Sequence, residues 1–236
     1  MSSNKLLDSS IKLTTTYLAE FPRHAAKGAE TREKQIANIK KAYSKIIEPN
    51  KPTTKPDYLV SELLEYLFDY EKVKRKSYQI QYNNQKQVEM MIGELLEKYI
   101  TSIGKDYGWV FTAQCIKAVD LLKKEKKKWI TLQIKNSDNT ENSSASKIRE
   151  GTQILKWFRR FSKPRLIKPK LNKNGTLSKK PFGKNYRYEF EKRQKTLDLS
   201  EFYTPEFNWE NFPDHDIRSR VSEEGFKKYI FHYLGS

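Results

Sequence analysis

The first half of the chain spaces its apolar residues as amphipathic helices do. From residue 33 to residue 47 they recur every three or four positions, and the run ends before Pro49. A shorter run follows Asp57, a residue type that can cap a helix, and the same spacing returns over residues 87–100. The pattern predicts a helical N-terminal part over residues 1–85, followed by a further helix.

Apolar and polar residues alternate beyond Gly104, which is the period of a β-strand. The segments GWVFT, IKAVDLL and WITLQIKN predict three strands, and the charged turn KKEKKK separates the last two. A helix is predicted over Gln153–Phe161, because its apolar residues fall on one side at helical spacing. The segment SEEGFKKYIFHYL predicts a last helix that begins at a Ser222 cap. This order predicts an α/β (α+β) fold, with a central mixed β-sheet flanked by helices.

Alternation along the predicted strands brings polar side chains to one face. Gln133 and Lys135 are two positions apart and point the same way, whereas the aliphatic residues between them point into the core. A hairpin centred at residues 125–126 sets Asp120 across from Thr131, with Gln133 one diagonal step away. A carboxylate, an amide oxygen and an ammonium group on one face suit Mg²⁺ binding and the activation of water at a phosphodiester.

Basic residues outnumber acidic ones by 46 to 29, which gives a formal net charge of +17. Fifteen Lys or Arg but only two Glu lie between residues 156 and 195, and we expect a long basic arm there. Such clustering favours nucleic acid as the partner over a solvated basic surface or a membrane. We therefore divide one 236-residue domain into the N-terminal part, a core over residues 86–161, and a basic arm with the C-terminal helix over residues 162–236.

Cysteine and histidine are too few to build a metal centre of their own. Cys115 is the sole cysteine, which excludes an internal disulfide, and it lies in an apolar stretch that predicts a core position. The three histidines are scattered, which argues against a zinc site. No apolar run reaches the length of a signal core or a membrane span, so we expect a soluble, cytoplasmic protein that binds no membrane.

The spacing of these polar residues resembles a known nuclease signature. Val119 and Asp120, twelve further residues and then QIK resemble the PD-(D/E)XK motif, with Gln133 in place of the acidic residue. The segment IGELLEKY resembles the first core helix of that superfamily, which often offers a Glu, here Glu97 or Glu94. The block LQIKNSDNTENSSASKIREGTQILKWFRRF resembles the SinI/AvaII group of Type II restriction endonucleases. The resemblance covers roughly residues 87–161.

The resemblance implies a restriction-endonuclease-like core and a definite chemistry. Such enzymes depend on Mg²⁺, need no organic cofactor, act as homodimers and cut both strands of double-stranded DNA, in this group at GGWCC. It implies that Asp120 binds Mg²⁺, that Gln133 helps to position the ion, and that Lys135 orients the attacking water. Glu97 or Glu94 completes the ligand shell. The cytoplasm of a bacterium is the implied compartment.

Polar and basic residues after the predicted catalytic strand are candidates for DNA contact. Asn and Arg side chains can read adenine and guanine, and most other contacts go to phosphates. The alternatives are a turn that caps the next helix and a solvated loop. The candidates are Asn136, Asn139, Asn142, Ser143, Ser144, Lys147, Arg149, Arg159, Arg160, Lys163 and Arg165.

Two other functions fit the same residues. A non-catalytic nucleic-acid-binding protein would use the basic arm alone, and it would have no need for Asp120, Gln133 and Lys135 on a shared face. A PD-(D/E)XK nuclease with a repair or transposon-associated role would keep that face but cut differently. The consecutive residues 214–216, Asp-His-Asp, are a weaker metal candidate, because neighbours in sequence converge poorly.

Overall fold

The computed structural model describes residues 3–47, 59, 66–67, 75–137, 154–161 and 205–235. Most of the predicted helix after Asp57, most of the loop that follows the third strand and most of the basic arm lie outside the described residues. None of the described helices is long and apolar enough to cross a membrane.

Helices precede and follow a sheet, as the apolar spacing predicts. Thr31 caps the second helix by accepting a hydrogen bond from the Lys34 amide, and Ser222 caps the last one through the Gly225 amide. The Ser222 cap confirms the predicted start of that helix. The third helix begins well before the predicted segment. The helices are α1 Ser3–Glu20, α2 Arg32–Ser44, α3 Arg75–Gly104, α4 Pro205–Glu210, α5 His215–Arg218 and α6 Glu223–Leu234.

Four strands form one mixed sheet in the order β1-β2-β3-β4. The first three strands are antiparallel neighbours, and β4 pairs with β3 in parallel. The mixed sheet flanked by helices confirms the predicted fold class. The strands are β1 Val110–Ile116, β2 Val119–Glu125, β3 Lys128–Ser137 and β4 Ile154–Arg160.

The helix predicted over Gln153–Phe161 is wrong, because this segment contains strand β4. A run this short satisfies both the helical and the strand period, so tertiary contacts decide between them. Trp157 packs 4.5 Å from Trp209 between ring centroids, and its indole donates a hydrogen bond to the Asn208 carbonyl. Pairing with residues 131–137 of β3 satisfies the backbone of the segment as a strand.

The hairpin between β2 and β3 is set differently from the predicted register. Glu125 pairs with Lys128 across a turn of two residues, whereas the prediction centred the hairpin at residues 125–126. Leu122 therefore faces Thr131, and continuing this register places Asp120 opposite Gln133. A shift of two positions keeps every side chain on its predicted face, because the strand period is two.

Apolar clusters cover both faces of the sheet. Leu132 and Ile134 are buried with residues of α3, α4 and α6 on one face, as the alternation predicts. Leu122 and the predicted core residue Cys115 are buried with residues of α1 and α2 on the other. The helices on both faces thereby fix the sheet that carries the predicted polar side chains.

Candidate active site

A wide bulge in β1 lies opposite Asp120. Phe111 pairs with Leu121 and Ile116 with Val119, so four residues of β1 face Asp120 alone. Within the bulge, Ala113 and Gln114 adopt left-handed backbone conformations with φ of 50° and 59°. Such conformations are strained for side chains other than glycine. The bulge interrupts the ladder beside Asp120, because the residues between Phe111 and Ile116 do not pair in register with β2.

Asp120 lies just beyond the last paired residues of β2 and β3, and its carboxylate takes over a bond to the β3 backbone. Its Oδ2 accepts a hydrogen bond of 2.7 Å from the backbone amide of Ile134. This bond holds the carboxylate beside β3, one residue from both Gln133 and Lys135. Within the part of the chain that the structure describes, Oδ1 accepts no hydrogen bond. One oxygen therefore anchors the side chain, and no described residue competes with a ligand for the other.

Helix α3 supplies a second carboxylate next to Asp120. Burial raises the pKa of Glu97 well above its usual range, and the negative charges of Asp120 and Glu94 raise it further. The positive charge of Lys135 opposes this rise. For Asp120, burial also raises the pKa, against the lowering effects of the Ile134 hydrogen bond and of Lys135. The Asp120 and Glu97 carboxyl groups therefore share one site, in which the positive charge of Lys135 offsets only part of the rise in their pKa values.

Glu94 is also on α3, but a lysine neutralises it. Lys45 donates from Nζ to both Glu94 carboxylate oxygens, at 2.8 and 2.6 Å. The Glu97 carboxylate forms no hydrogen bond or ion pair with any described residue. The structure therefore distinguishes the two glutamates by their partners.

Gln133 and Lys135 differ in their exposure. Gln133 is only 4 % exposed, whereas Lys135 is partly exposed and pairs in register with Phe158 of β4. The Lys135 ammonium group forms no ion pair or hydrogen bond among the described residues, although its charge acts on both carboxyl groups. A charged side chain without a partner among the described residues, beside the partly buried carboxyl groups of the acidic pair Asp120 and Glu97, is typical of a functional site.

Comparison with known proteins identifies the family of the chain. The family described as SinI restriction endonuclease matches residues 24–190 of the chain. The chain belongs to the SinI restriction endonuclease family. It is 29 % identical over 244 residues to the Type II restriction enzyme Eco47I of Escherichia coli, which covers 98 % of this chain and 89 % of that protein. It is 33 % identical over 190 residues to the Type II restriction enzyme SinI of Salmonella infantis, which covers 79 % of this chain and 65 % of that protein.

Membership of the SinI family confirms the resemblance found in residues 87–161. The chain is a Type II restriction endonuclease, an enzyme that acts on DNA. Members of this class generally use a divalent metal ion. The family match also begins before the predicted core, at residue 24, and so includes α2 and the loop that precedes it.

In this SinI-family chain, few of the residues predicted to contact DNA lie in the described strands. Arg159 donates from Nη1 to the Asn136 side-chain oxygen at 2.8 Å and from Nε to Glu223 at 2.9 Å. Asn136 and Arg159 are thus joined to each other and to α6. Arg160 is exposed at the end of β4. Asn139, Asn142, Ser143, Ser144, Lys147, Arg149, Lys163 and Arg165 lie outside the described residues.

The segment considered as a weak metal candidate has a different role in the structure. Asp214 accepts hydrogen bonds from the Trp109 indole at 2.7 Å and from Lys123 Nζ at 3.0 Å. It also caps α5 through the Asp216 and Ile217 amides. These bonds hold the C-terminal helices to β2.

Two lysines near Glu97, Lys41 of α2 and Lys45 directly after that helix, were missed by the sequence reasoning. Lys45 neutralises Glu94, and Lys41 lines the same cavity as Glu97. Part of the signal was present, because Lys41 and Lys45 are four positions apart in the helix predicted to residue 47, where such residues share a side. The structure ends this helix at Ser44. Which element that side faces is a tertiary property, so spacing alone did not connect these lysines to Glu97.

Proposed function

We propose that the chain is a Mg²⁺-dependent endonuclease that hydrolyses both strands of double-stranded DNA at a short symmetric site. We propose GGWCC as that site, because residues 87–161 resemble the SinI/AvaII group. The observation that carries the proposal is the convergence of Asp120, Glu97 and Lys135. Their acid and amine groups form no ion pair among the described residues, and the one hydrogen bond that they form there is from the Ile134 amide to Asp120.

The donor atoms at this site fit a magnesium ion. Magnesium binds one or two carboxylates and keeps the rest of its shell for water and substrate phosphate. No group of three or more His, Cys, Asp or Glu side chains suited to a metal occurs within the described ranges, so the shell proposed here has two carboxylates. Asp120 Oδ1 and Glu97 would hold the ion, and Glu94 is held by Lys45 instead. When bound, Mg²⁺ supplies Lewis acidity toward the phosphodiester.

The remaining roles follow from charge and position. The Lys135 ammonium group orients the attacking water and stabilises the negative charge that develops as the phosphorus–oxygen bond breaks. Gln133 is a positioning residue, because it is buried directly across the hairpin from Asp120. The Ile134 amide keeps the Asp120 carboxylate turned toward β3.

A digest of plasmid DNA with Mg²⁺, followed by sequencing of the fragment ends, tests the proposal. Discrete fragments with a common end sequence are expected. Asp120→Ala and Lys135→Ala should abolish cutting and keep DNA affinity. Each removes a group proposed to act in hydrolysis, and each leaves the clustered basic residues in place. Lys127→Ala, an exposed lysine in the turn of the same hairpin, is the matched control and should cut normally.

Other outcomes separate the rival functions. Tight DNA binding without any cutting would indicate a non-catalytic nucleic-acid-binding protein. Random nicking, or cutting that depends on DNA structure, would indicate a repair or transposon-associated nuclease. Full activity in either the Asp120 or the Lys135 variant would remove that residue from the mechanism.

We also propose that the active form is a homodimer, because a symmetric DNA site is matched by a two-fold protein. Sedimentation of the protein with and without its DNA tests this directly. The compartment proposed is the cytoplasm of a bacterium, the kind of organism from which both named relatives come.

A further inference from the structure

A cavity of about 310 Å³ lies between helices α2 and α3 and is lined by Glu97. Its walls come from α2, from α3, from the bulge of β1 and from the loop before α2. Glu97 lines this cavity and also acts electrostatically on Asp120. The cavity therefore reaches the proposed catalytic centre at Glu97. Its volume is at the lower end of the range of about 300–1,000 Å³ that is usual for ligand sites.

Lysines give this cavity an excess of positive charge. Lys45 is compensated by Glu94, and Lys98 donates to the Lys45 carbonyl oxygen at 2.9 Å. Lys27 and Lys41 also line the cavity, and neither ammonium group has an ion-pair or hydrogen-bond partner among the described residues. Two cations that no described residue neutralises, beside a proposed DNA-cutting centre, are suited to binding an anion.

The loop that carries Lys27 is fastened on two sides. The Ala26 amide donates to the Cys115 carbonyl of β1 at 2.9 Å, and the Asn38 side chain of α2 donates to the Gly28 carbonyl at 3.0 Å. Gly28 adopts a φ of 85°, which favours glycine over other residues. The backbone of the neighbouring residues thus holds Lys27 near Lys41, and the Lys27 ammonium group takes no part in these bonds.

We propose that this cavity binds the DNA backbone phosphate next to the scissile one, with Lys27 and Lys41 as its ligands. The inference rests on the proposed function, because it assumes that the scissile phosphate lies at Asp120 and Glu97. A strand crossing that centre must place a neighbouring phosphate beside it, and the cavity is the adjoining basic space. The side-chain amide of Gln114, which the bulge places at the cavity wall, is a further donor to this phosphate.

The salt dependence of DNA binding tests the role of the two lysines. In an Asp120→Ala background, which prevents cutting, the double variant Lys27→Ala with Lys41→Ala should bind more weakly than the background protein. The slope of log affinity against log salt should fall by about 1, equally for specific and unrelated duplexes, as for the loss of one phosphate contact. The matched control is Lys12→Ala with Lys40→Ala, exposed lysines outside the cavity lining that remove the same charge.

Duplexes that carry one neutral methylphosphonate locate the phosphate. Neutralising the position next to the scissile phosphate should weaken binding by the background protein and have no further effect on the Lys27/Lys41 double variant. An equal loss in both proteins, or a double variant that matches the Lys12/Lys40 control, would overturn the inference. Failure of the wild-type digest with the lysine effect intact would instead reject the nuclease proposal and leave a phosphate site.

Discussion

Asp120 and Glu97 place two carboxyl groups where burial and mutual repulsion both oppose their ionisation. A protein selected for stability alone would replace one of them or pair both with bases. Lys135 offsets only part of this unfavourable charge. The metal-free protein should therefore be destabilised at this site, and the destabilisation should depend on pH.

The first prediction concerns stability without metal. Burial raises the pKa of Asp120 to about 6, above a value of about 4 for an unfolded chain. The folded protein then binds more protons than the unfolded chain, so stability falls as the pH rises from about 4 through about 6. Asp120→Asn should lack this fall and exceed the wild type at pH 8 by about 2 to 3 kcal/mol. Urea unfolding in EDTA at several pH values measures both.

The control for this prediction is Asp8→Asn, which alters an exposed acid on α1. Its pH profile should follow that of the wild type. If the Asp120→Asn profile also follows that of the wild type, the pKa of Asp120 is not raised in the folded protein.

The second prediction separates the two glutamates of α3. Glu97→Gln should lower the cleavage rate by more than about 100-fold and raise the Mg²⁺ concentration needed for half-maximal activity, because it removes a proposed metal ligand. Glu94→Gln leaves Lys45 without its partner and should lower the rate by less than about 10-fold. Titrating cleavage with Mg²⁺ in both variants measures the difference. The reverse order would make Glu94 the ligand.

At the scale of the element, the end of β4 is joined to α6 by a network of charged hydrogen bonds. The Arg159 guanidinium contacts Glu223 through two nitrogens and Asn136 through a third. The Trp209 indole donates to the same Glu223 carboxylate at 2.8 Å. The network fastens β4, the strand that the helical spacing failed to predict, to the C-terminal part of the chain.

The third prediction contrasts the two arginines of this strand. Arg159→Ala should lower the free energy of unfolding by about 2 to 3 kcal/mol, because it leaves Glu223 partly buried without its cation. Arg160→Ala, at the exposed neighbouring position, should leave stability unchanged and weaken DNA binding. Thermal unfolding and a DNA-binding titration of both variants measure the two effects. Equal stability would mean that the network does not hold β4.

Across the whole molecule, Asp214 connects the C-terminal helices to the hairpin that carries the candidate active site. Its partner Lys123 is 4 % exposed and also contacts Glu125 and Asp216. Burial tends to raise the pKa of Asp214, but its bonds to Lys123 and Trp109 outweigh that effect and lower it. Residues far apart in the sequence thereby position the strands of the site.

The fourth prediction is that Asp214→Asn destabilises the whole domain by about 2 to 3 kcal/mol, because it leaves Lys123 buried with weaker partners. In the wild type, this contribution is present above the usual pKa of an aspartate and is lost as the pH falls through the lowered pKa of Asp214. Asp216→Asn, at 61 % side-chain exposure, is the matched control and should have little effect. Chemical unfolding at pH 7 and below pH 4 measures the difference. Equal stability of the two variants would contradict this role of Asp214.

The sequence by itself determined the properties that depend on neighbouring residues. Strand alternation fixed which side chains of β3 share a face, and an error of two positions in the hairpin left those faces unchanged. Ser222 predicted the start of the last helix correctly, because a capping side chain bonds to backbone amides within one turn. Residues 87–161 carried the family resemblance, which the family match confirms.

Only the tertiary structure decided the properties that depend on distant partners. The segment that contains β4 has a spacing compatible with two periods, and pairing with β3 together with the packing of Trp157 made it a strand. No local pattern predicts the bulge opposite Asp120. The same holds for the ion pairs of Lys45 with Glu94 and of Arg159 with Glu223, because their partners are far apart in the sequence. The physical reason is that burial and ion pairing act between side chains adjacent in space, whatever their separation along the chain.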